Sequence, residues 1–237
     1  MIANPENIDV VILCGGLGTR LRSAVSDRPK ALANFGEKTF IDILIDSILK
    51  YKFKNITLCV GYQKEQIIKH FEYEKDYNLK FSAEDIPLGT GGALKKAVPA
   101  IESDTFIVMN GDSICNPDFK QLLQFHINKK AVMTMALTHS SDKTDYGNVT
   151  MDQSQIITNF EEKINSNEES FINAGIYVMQ KEIFSYMPKE EIFSLEYDLF
   201  PKLVNKRCYG YIIKNELIDI GTPERYNKAV SIIGDKK

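Results

Sequence analysis

The chain has 237 residues, with 29 Lys and Arg against 32 Asp and Glu, for a formal net charge of −3. That length buries a sizeable core as one α/β unit, while the acidic balance disfavours a general nucleic-acid binder, which carries a basic face. No apolar run reaches the ~18 residues of a membrane helix, the start shows no signal-peptide pattern, and Cys14, Cys59, Cys115 and Cys208 stand far apart without a C-x-x-C, so a soluble protein in a reducing cytoplasm is expected.

Residues 8–14, apolar apart from Asp9, are read as a continuous buried strand that leads straight into Gly15, Gly16 and Gly18. Four cations follow within eleven residues, Arg20, Arg22, Arg28 and Lys30, against one acid, Asp27. Glycines let successive backbone N–H groups approach an anion, and Arg and Lys add fixed charge for phosphate oxygens. A glycine turn with a solvated basic edge is the plain alternative. The cation cluster just past a buried strand favours a polyphosphate site. Leu21 stands where G-x-G-x-x-G needs its third glycine, and no G-x-x-x-x-G-K-[ST] occurs, so dinucleotide and P-loop motifs are disfavoured.

Further along, Ile41, Leu44, Ile45, Ile48 and Leu49 recur at helical spacing. Strands are predicted at 56–60, 79–82 and 105–110, and helices at 65–71 and 92–100. Strands separated by helices of this length imply β-α-β units and a doubly wound, largely parallel sheet. Ligands then sit beyond the carboxyl ends of the strands, where the glycine loop and Gly111-Asp112 fall. The second half reads differently, with strands at 131–138, 147–151, 155–160 and 172–179 and little helix between some of them. That pattern implies an antiparallel extension for a second substrate. Residues 209–213 and 216–218 read as a final strand pair, and Thr222 and Pro223 as the N-cap and first position of a terminal helix. One domain over 1–237 is expected, divided near 130 into a first half (8–130) and a second half (131–237).

Asp112 on its own is an ordinary turn residue. Asp219 is harder to explain, because it sits among apolar neighbours where an unpaired carboxylate is costly. Two carboxylates at strand ends beside a phosphate cradle make a plausible Mg²⁺ site. The three histidines, His70, His126 and His139, show no metal spacing.

The motifs Gly16-Leu-Gly-Thr-Arg-Leu21, Pro29-Lys30, Gly111-Asp112 and Asp219-Ile-Gly-Thr222 resemble, in order, the signature of the sugar-1-phosphate nucleotidylyltransferases. Supporting stretches are Glu84 to Ala93, Asp145-Tyr-Gly147, Phe160-Glu-Glu-Lys163 and Asn173-Ala-Gly175, so the likeness runs from residue 8 to about 230. Residues 21–30 and 193–201 look most like the D-glycero-α-D-manno-heptose 1-phosphate guanylyltransferases. Ser23 replaces the usual Pro and Cys14 the usual Ala, neither of which removes a phosphate-binding group. The β-helix of bifunctional relatives has no counterpart here, so no acyltransferase activity is expected.

The resemblance implies transfer of a nucleotidyl group from a triphosphate to a sugar 1-phosphate, with pyrophosphate leaving. Arg20 would hold the β- and γ-phosphates, Lys30 would bridge the attacking phosphate and the α-phosphate, and Asp112 and Asp219 would hold Mg²⁺. Leu13, Gly15, Gly16, Gly18, Thr19, Arg20, Gly89, Thr90 and Gly91 would line the nucleotide. Glu84 stands where uridylyl and thymidylyl relatives carry Gln, and a carboxylate can accept two hydrogen bonds from guanine, which points to GTP. Without the resemblance, Glu84 reads as a surface acid. Tyr146, Gly147, Glu162, Asn173 and Gly175 match sugar-contacting positions, although turn, bulge and surface readings fit them as well. The partners expected are therefore GTP and a sugar 1-phosphate, with no nucleic acid or membrane and with a homodimer as an option. The resemblance also implies a role in surface-polysaccharide precursor synthesis. Rival readings are mannose 1-phosphate with GTP, N-acetylmuramate 1-phosphate with UTP, and a non-catalytic nucleotide-sugar sensor.

Overall fold

The computed structural model describes residues 4–139, 146–162 and 171–234. In chain order the strands are β1 (Asp9–Leu13), a short hairpin of β2 (Asn34–Phe35) and β3 (Lys38–Thr39), β4 (Asn55–Val60), β5 (Asn78–Ala83), β6 (Thr105–Asn110), β7 (Ser113–Ile114), β8 (Met133–Thr138), β9 (Gly147–Met151), β10 (Ile157–Glu162), β11 (Phe171–Gln180), β12 (Cys208–Ile212) and β13 (Ile218–Asp219). The helices are α1 (Phe40–Leu49), α2 (Lys64–His70), α3 (Gly89–Ala97), α4 (Phe119–Lys129), α5 (Phe200–Leu203) and α6 (Pro223–Gly234).

Nine of these strands form one mixed sheet, in the order β10-β9-β11-β6-β1-β4-β5, with β8 also paired to β11 and β12 paired to β8. β1 pairs in parallel with β4 and β6, and β4 with β5, which is the doubly wound half. β11 then runs antiparallel to β6, β8 and β9, and β9 to β10, which is the expected extension. The long apolar runs of β1 and β6 follow from burial on both faces. Val10, Ile12, Ile107 and Met109 face a core layer that includes α1, Ile67 of α2 and Phe119 of α4. Their neighbours Val11, Phe106 and Val108 face the other layer, against Leu94 and Ala97 of α3 and Leu195, Leu199 and Phe200. All four cysteines are buried and unpaired, as packing thiols should be.

Two expectations need correcting. Residues 209–213 and 216–218 do not pair with each other. β12 runs parallel to β8, and β13 pairs antiparallel with β7. The connecting segment is committed elsewhere, because Ile213 N–H donates to the Leu137 carbonyl at 2.8 Å and Thr138 Oγ1 to the Asn215 carbonyl at 2.9 Å. It therefore carries the chain from the β8 edge across to β7. The α4 helix was not among the predicted elements, although Asp118 caps it through the N–H groups of Lys120 and Gln121 and Phe119, Leu122, Leu123 and His126 mark its buried stripe. No helix among the described residues is long and apolar enough to cross a membrane.

Candidate active site

β1 ends against a loop whose turn is set by Gly18, at φ 59°, and a 3₁₀ turn over Thr19–Leu21 then presents Arg20. A second 3₁₀ turn, Lys30–Leu32, follows Pro29 and directs the Lys30 ammonium to 2.9 Å from Asp112 Oδ2. Asp112 lies just beyond β6, where Gly111 N–H donates to the Leu13 carbonyl at 2.9 Å and ties the ends of β1 and β6 together. Partial desolvation at the cleft wall, where the Asp112 side chain is still 49% exposed, pushes its carboxyl up. The Lys30 ammonium and the Arg20 guanidinium more than offset this, so its pKa lies below the usual carboxylate value.

The distant aspartate joins this point through the two-residue β7–β13 ladder, in which Asp219 lies opposite Ser113. Ile220 N–H donates to the Asp112 carbonyl at 3.0 Å. Asp219 Oδ1 accepts from Gly221 N–H at 2.8 Å, and Oδ2 accepts from the Tyr146 hydroxyl. A Cβ on Gly221 would come to 2.8 Å from Asp219 Oδ1, so a side chain there would push that carboxylate aside.

These groups border two compartments. The first, of about 480 Å³, is lined by Leu13, Gly15, Gly16, Gly18, Thr19, Arg20, Lys30, Glu84, Gly89, Thr90 and Asp112, all expected at the nucleotide. The second, of about 250 Å³, is lined by Tyr146, Gly147, Glu162, Asn173 and Gly175, all expected at the sugar, together with Asp219. Arg20, Thr90, Asn110, Asp112 and Gly221 border both. Gly91 is the exception among the nucleotide residues. It lies outside the cleft lining, and its N–H donates to the Phe193 carbonyl at 3.0 Å because the segment before Leu195 crosses the start of α3. Asn173 is largely inward-facing, with Nδ2 donating to the Tyr177 hydroxyl at 2.7 Å and Oδ1 accepting from Gly175 N–H at 2.9 Å. Asp145 and Lys163 lie outside the described residues.

Glu84 borders the first compartment from the end of β5. Its carboxylate packs so close to Gly61 that a Cβ there would meet Oε1 at 2.6 Å. Burial raises its pKa, and the Leu88 N–H and Lys96 offset this only in part. Lys64 braces the same loop, with Nζ 3.2 Å from the Glu84 carbonyl.

The sequence reading missed Asn110, Glu196, Tyr197 and Arg225, all of which line the second compartment. Asn110 Oδ1 is buried without a hydrogen-bond partner among the described residues. Glu196 follows the cap Ser194 and so reads as an ordinary first-turn acid. Arg225 did leave a signal, because a cation in the first turn of a helix opposes the helix dipole.

Comparison with known proteins identifies the family. The nucleotidyl transferase family model matches residues 9–236. A D-glycero-alpha-D-manno-heptose 1-phosphate guanylyltransferase of Aneurinibacillus thermoaerophilus is 36% identical over 94% of this chain and 96% of its own length. The mannose-1-phosphate guanylyltransferase catalytic subunit beta of Drosophila melanogaster is 34% identical over 95% of this chain and 63% of its own length. Among solved structures, HddC from Yersinia pseudotuberculosis complexed with GMP-PN superposes with a TM-score of 0.83 at 33% identity, covering 95% of this chain and 99% of that one. The chain belongs to the nucleotidyl transferase family.

Proposed function

We propose that this protein transfers a guanylyl group from GTP to a sugar 1-phosphate, D-glycero-α-D-manno-heptose 1-phosphate, giving the GDP-sugar and pyrophosphate. The observation that carries the reading is a single cleft in which Lys30 and Asp112 meet at the border of two compartments and Asp219 joins them. A phosphate oxygen of the sugar attacks the α-phosphorus, and the bond to the bridging oxygen of the β-phosphate breaks. The attacking phosphomonoester is mostly dianionic near neutral pH, with a second pKa of about 6, so the reaction needs no general base. Its requirements are in-line positioning and stabilisation of developing charge.

In this reading Arg20 takes the leaving β- and γ-phosphates, and Lys30 lies between the attacking phosphate and the α-phosphate. Gly15, Gly16, Gly18 and Thr19 cradle the nucleotide. Glu84 accepts hydrogen bonds from guanine N1–H and the 2-amino group, whereas the O2 and O4 acceptors of uracil would meet it unfavourably. Tyr146, Gly147, Glu162, Asn173 and Gly175 surround the sugar. Residues 8–130 then serve the nucleotide and 131–237 the sugar.

The donor set fits a divalent cation. Two carboxylates and the partnerless Asn110 Oδ1 are hard oxygen donors of the kind Mg²⁺ prefers. Asp112 and Asp219 would hold it, and when bound it neutralises phosphate charge. Mannose 1-phosphate is the second acceptor to weigh, because the Drosophila relative is named for it. Turnover should be assayed with GTP, ATP, UTP and dTTP against heptose, mannose and N-acetylmuramate 1-phosphates, with mass analysis of products. GDP-heptose as the main product is expected. A pyrimidine nucleotide-sugar as the main product would overturn the base assignment.

A further inference from the structure

We infer that Glu196 binds a hydroxyl of the sugar and so helps to select the acceptor, an inference that rests on the reaction proposed above. Glu196 lies in the first turn of the Leu195–Leu199 π-helix and borders the second compartment. The plain alternative is an acid that only ties this segment to α3. That tie occupies a single oxygen, because Thr90 Oγ1 and Ser194 Oγ lie 2.6 and 2.7 Å from the same Glu196 Oε2. Both hydroxyls donate to it, and each accepts in turn from the backbone: Thr90 Oγ1 from Leu195 N–H, Ser194 Oγ from the N–H groups of Glu196 and Tyr197. The carboxylate is thereby held in one orientation. Among the described residues nothing donates to Oε1, which is open rather than buried.

A carboxylate repels phosphate, so the oxygen left over suits a hydrogen-bond donor. A sugar 1-phosphate offers its hydroxyls for that role. The ribose of GTP carries hydroxyls too, but Glu196 borders the sugar compartment and not the nucleotide compartment. The interior beneath the sugar compartment points the same way. Tyr177 is wholly buried there, and its hydroxyl accepts from Asn173 Nδ2 at 2.7 Å. Burial first, and then the negative charges of Glu196 and Glu162, push the Tyr177 phenol well above its usual pKa. Both carboxylates therefore lie near the hydroxyl that holds Asn173. They reach the sugar compartment from different elements, Glu196 from the π-helix and Glu162 from the end of β10. A charged acceptor makes a stronger hydrogen bond than a neutral one. Being fixed in advance by two hydroxyls, this one loses little freedom when the sugar arrives.

The test is steady-state kinetics of Glu196→Gln and Glu196→Asp, with GTP and the sugar 1-phosphate that the wild type converts varied in turn, and Tm measured alongside. Gln keeps the tie, because only its carbonyl oxygen can face two hydroxyl donors, and it replaces the charged acceptor with an amide that donates. In E196Q the KM for the sugar 1-phosphate is expected to rise about ten-fold, while the KM for GTP stays within about two-fold and Tm within about 2 °C. E196D keeps the charge but, when held by Thr90 and Ser194, falls one methylene short of the sugar. It is expected to raise the same KM, and it carries the test if E196Q does not fold. An unchanged KM for the sugar 1-phosphate in either folded variant would overturn the inference. So would a change confined to the KM for GTP, which would put ribose on Glu196, or a lowered Tm as the only change, which would leave it a tie and nothing more. If the wild type gains thermal stability from GTP but converts no sugar 1-phosphate, the underlying reaction is wrong and the inference falls with it.

Discussion

The Lys30 side chain is 13% exposed and its ammonium contacts Asp112 at the meeting point of the two compartments. A charge held there in advance stabilises the reacting phosphates without reorganisation. Lys30→Ala is expected to lower kcat by about 10²–10³-fold. Thermal stability should change little, because the Asp112 carboxylate left behind is 49% exposed and water can solvate it. Comparing kcat with Tm for this variant checks both halves of the claim. Glu84 acts on a different readout. Burial raises its pKa, and the protonated carboxyl loses an acceptor that guanine needs, so kcat/KM for GTP should fall on acidification before an ordinary surface carboxylate would titrate. Profiles from about pH 8 to about pH 5 for wild type and Glu84→Gln test this. Both proteins should lose activity as the substrate phosphates protonate near about pH 6, but the variant's acid limb should be the same for GTP and UTP, and it should discriminate less between them. The phosphate cradle was legible in the chain because glycines and clustered cations are uncommon together. Glu84 was legible only through its family position, since by type and neighbours it is a plain acid beside Asp85.

Among the elements, the segment leading into the Leu195–Leu199 π-helix shows how the second half of the chain is clamped to the first. Thr90 Oγ1 on α3 donates to Glu196 Oε2 at 2.6 Å and accepts from Leu195 N–H at 2.9 Å. Lys95, one helical turn on, donates to the carbonyls of Pro188, Lys189 and Glu190 at 2.8, 3.0 and 3.1 Å. Hydrogen bonds from a charged donor contribute about 1.5–3 kcal/mol, so Lys95→Met should destabilise the protein by about that order in urea titrations, with GTP affinity nearly unchanged. None of this was visible in the chain, because Lys95 looks like any solvated helix lysine and π-helical hydrogen bonding leaves no periodicity to read. The strands of the parallel half were read closely, since burial on both faces enforces continuous apolar runs. The β12–β13 error arose for a related reason. Alternating apolar residues mark a strand but say nothing about its partner, and here the partners were β8 and β7.

At the scale of the molecule, the layer around α4 places His126 wholly inside. Its Nδ1 meets Thr134 Oγ1 at 2.9 Å and its Nε2 meets Gln180 Nε2 at 3.3 Å. Burial lowers its pKa from 6.5 to about 4. The unfolded chain takes up a proton near pH 6.5 that the folded chain refuses until about pH 4. This contribution to stability is therefore complete above pH 6.5 and is lost as pH falls through that window. The loss is of the order of 3 kcal/mol, and urea midpoints across the window, compared with His126→Gln, should show the variant flatter. The sheet itself spans both halves through the β6–β11 pairing, so such a loss is felt by both compartments together.

The small β7–β13 ladder has a consequence for how the protein becomes competent as it is made. Every strand of the large sheet, through β12, precedes Asp219 in the chain. A protein truncated between Ile212 and Asp219 keeps the glycine loop but lacks the second carboxylate. On the reaction proposed above, such a product is expected to bind triphosphate without ever turning it over.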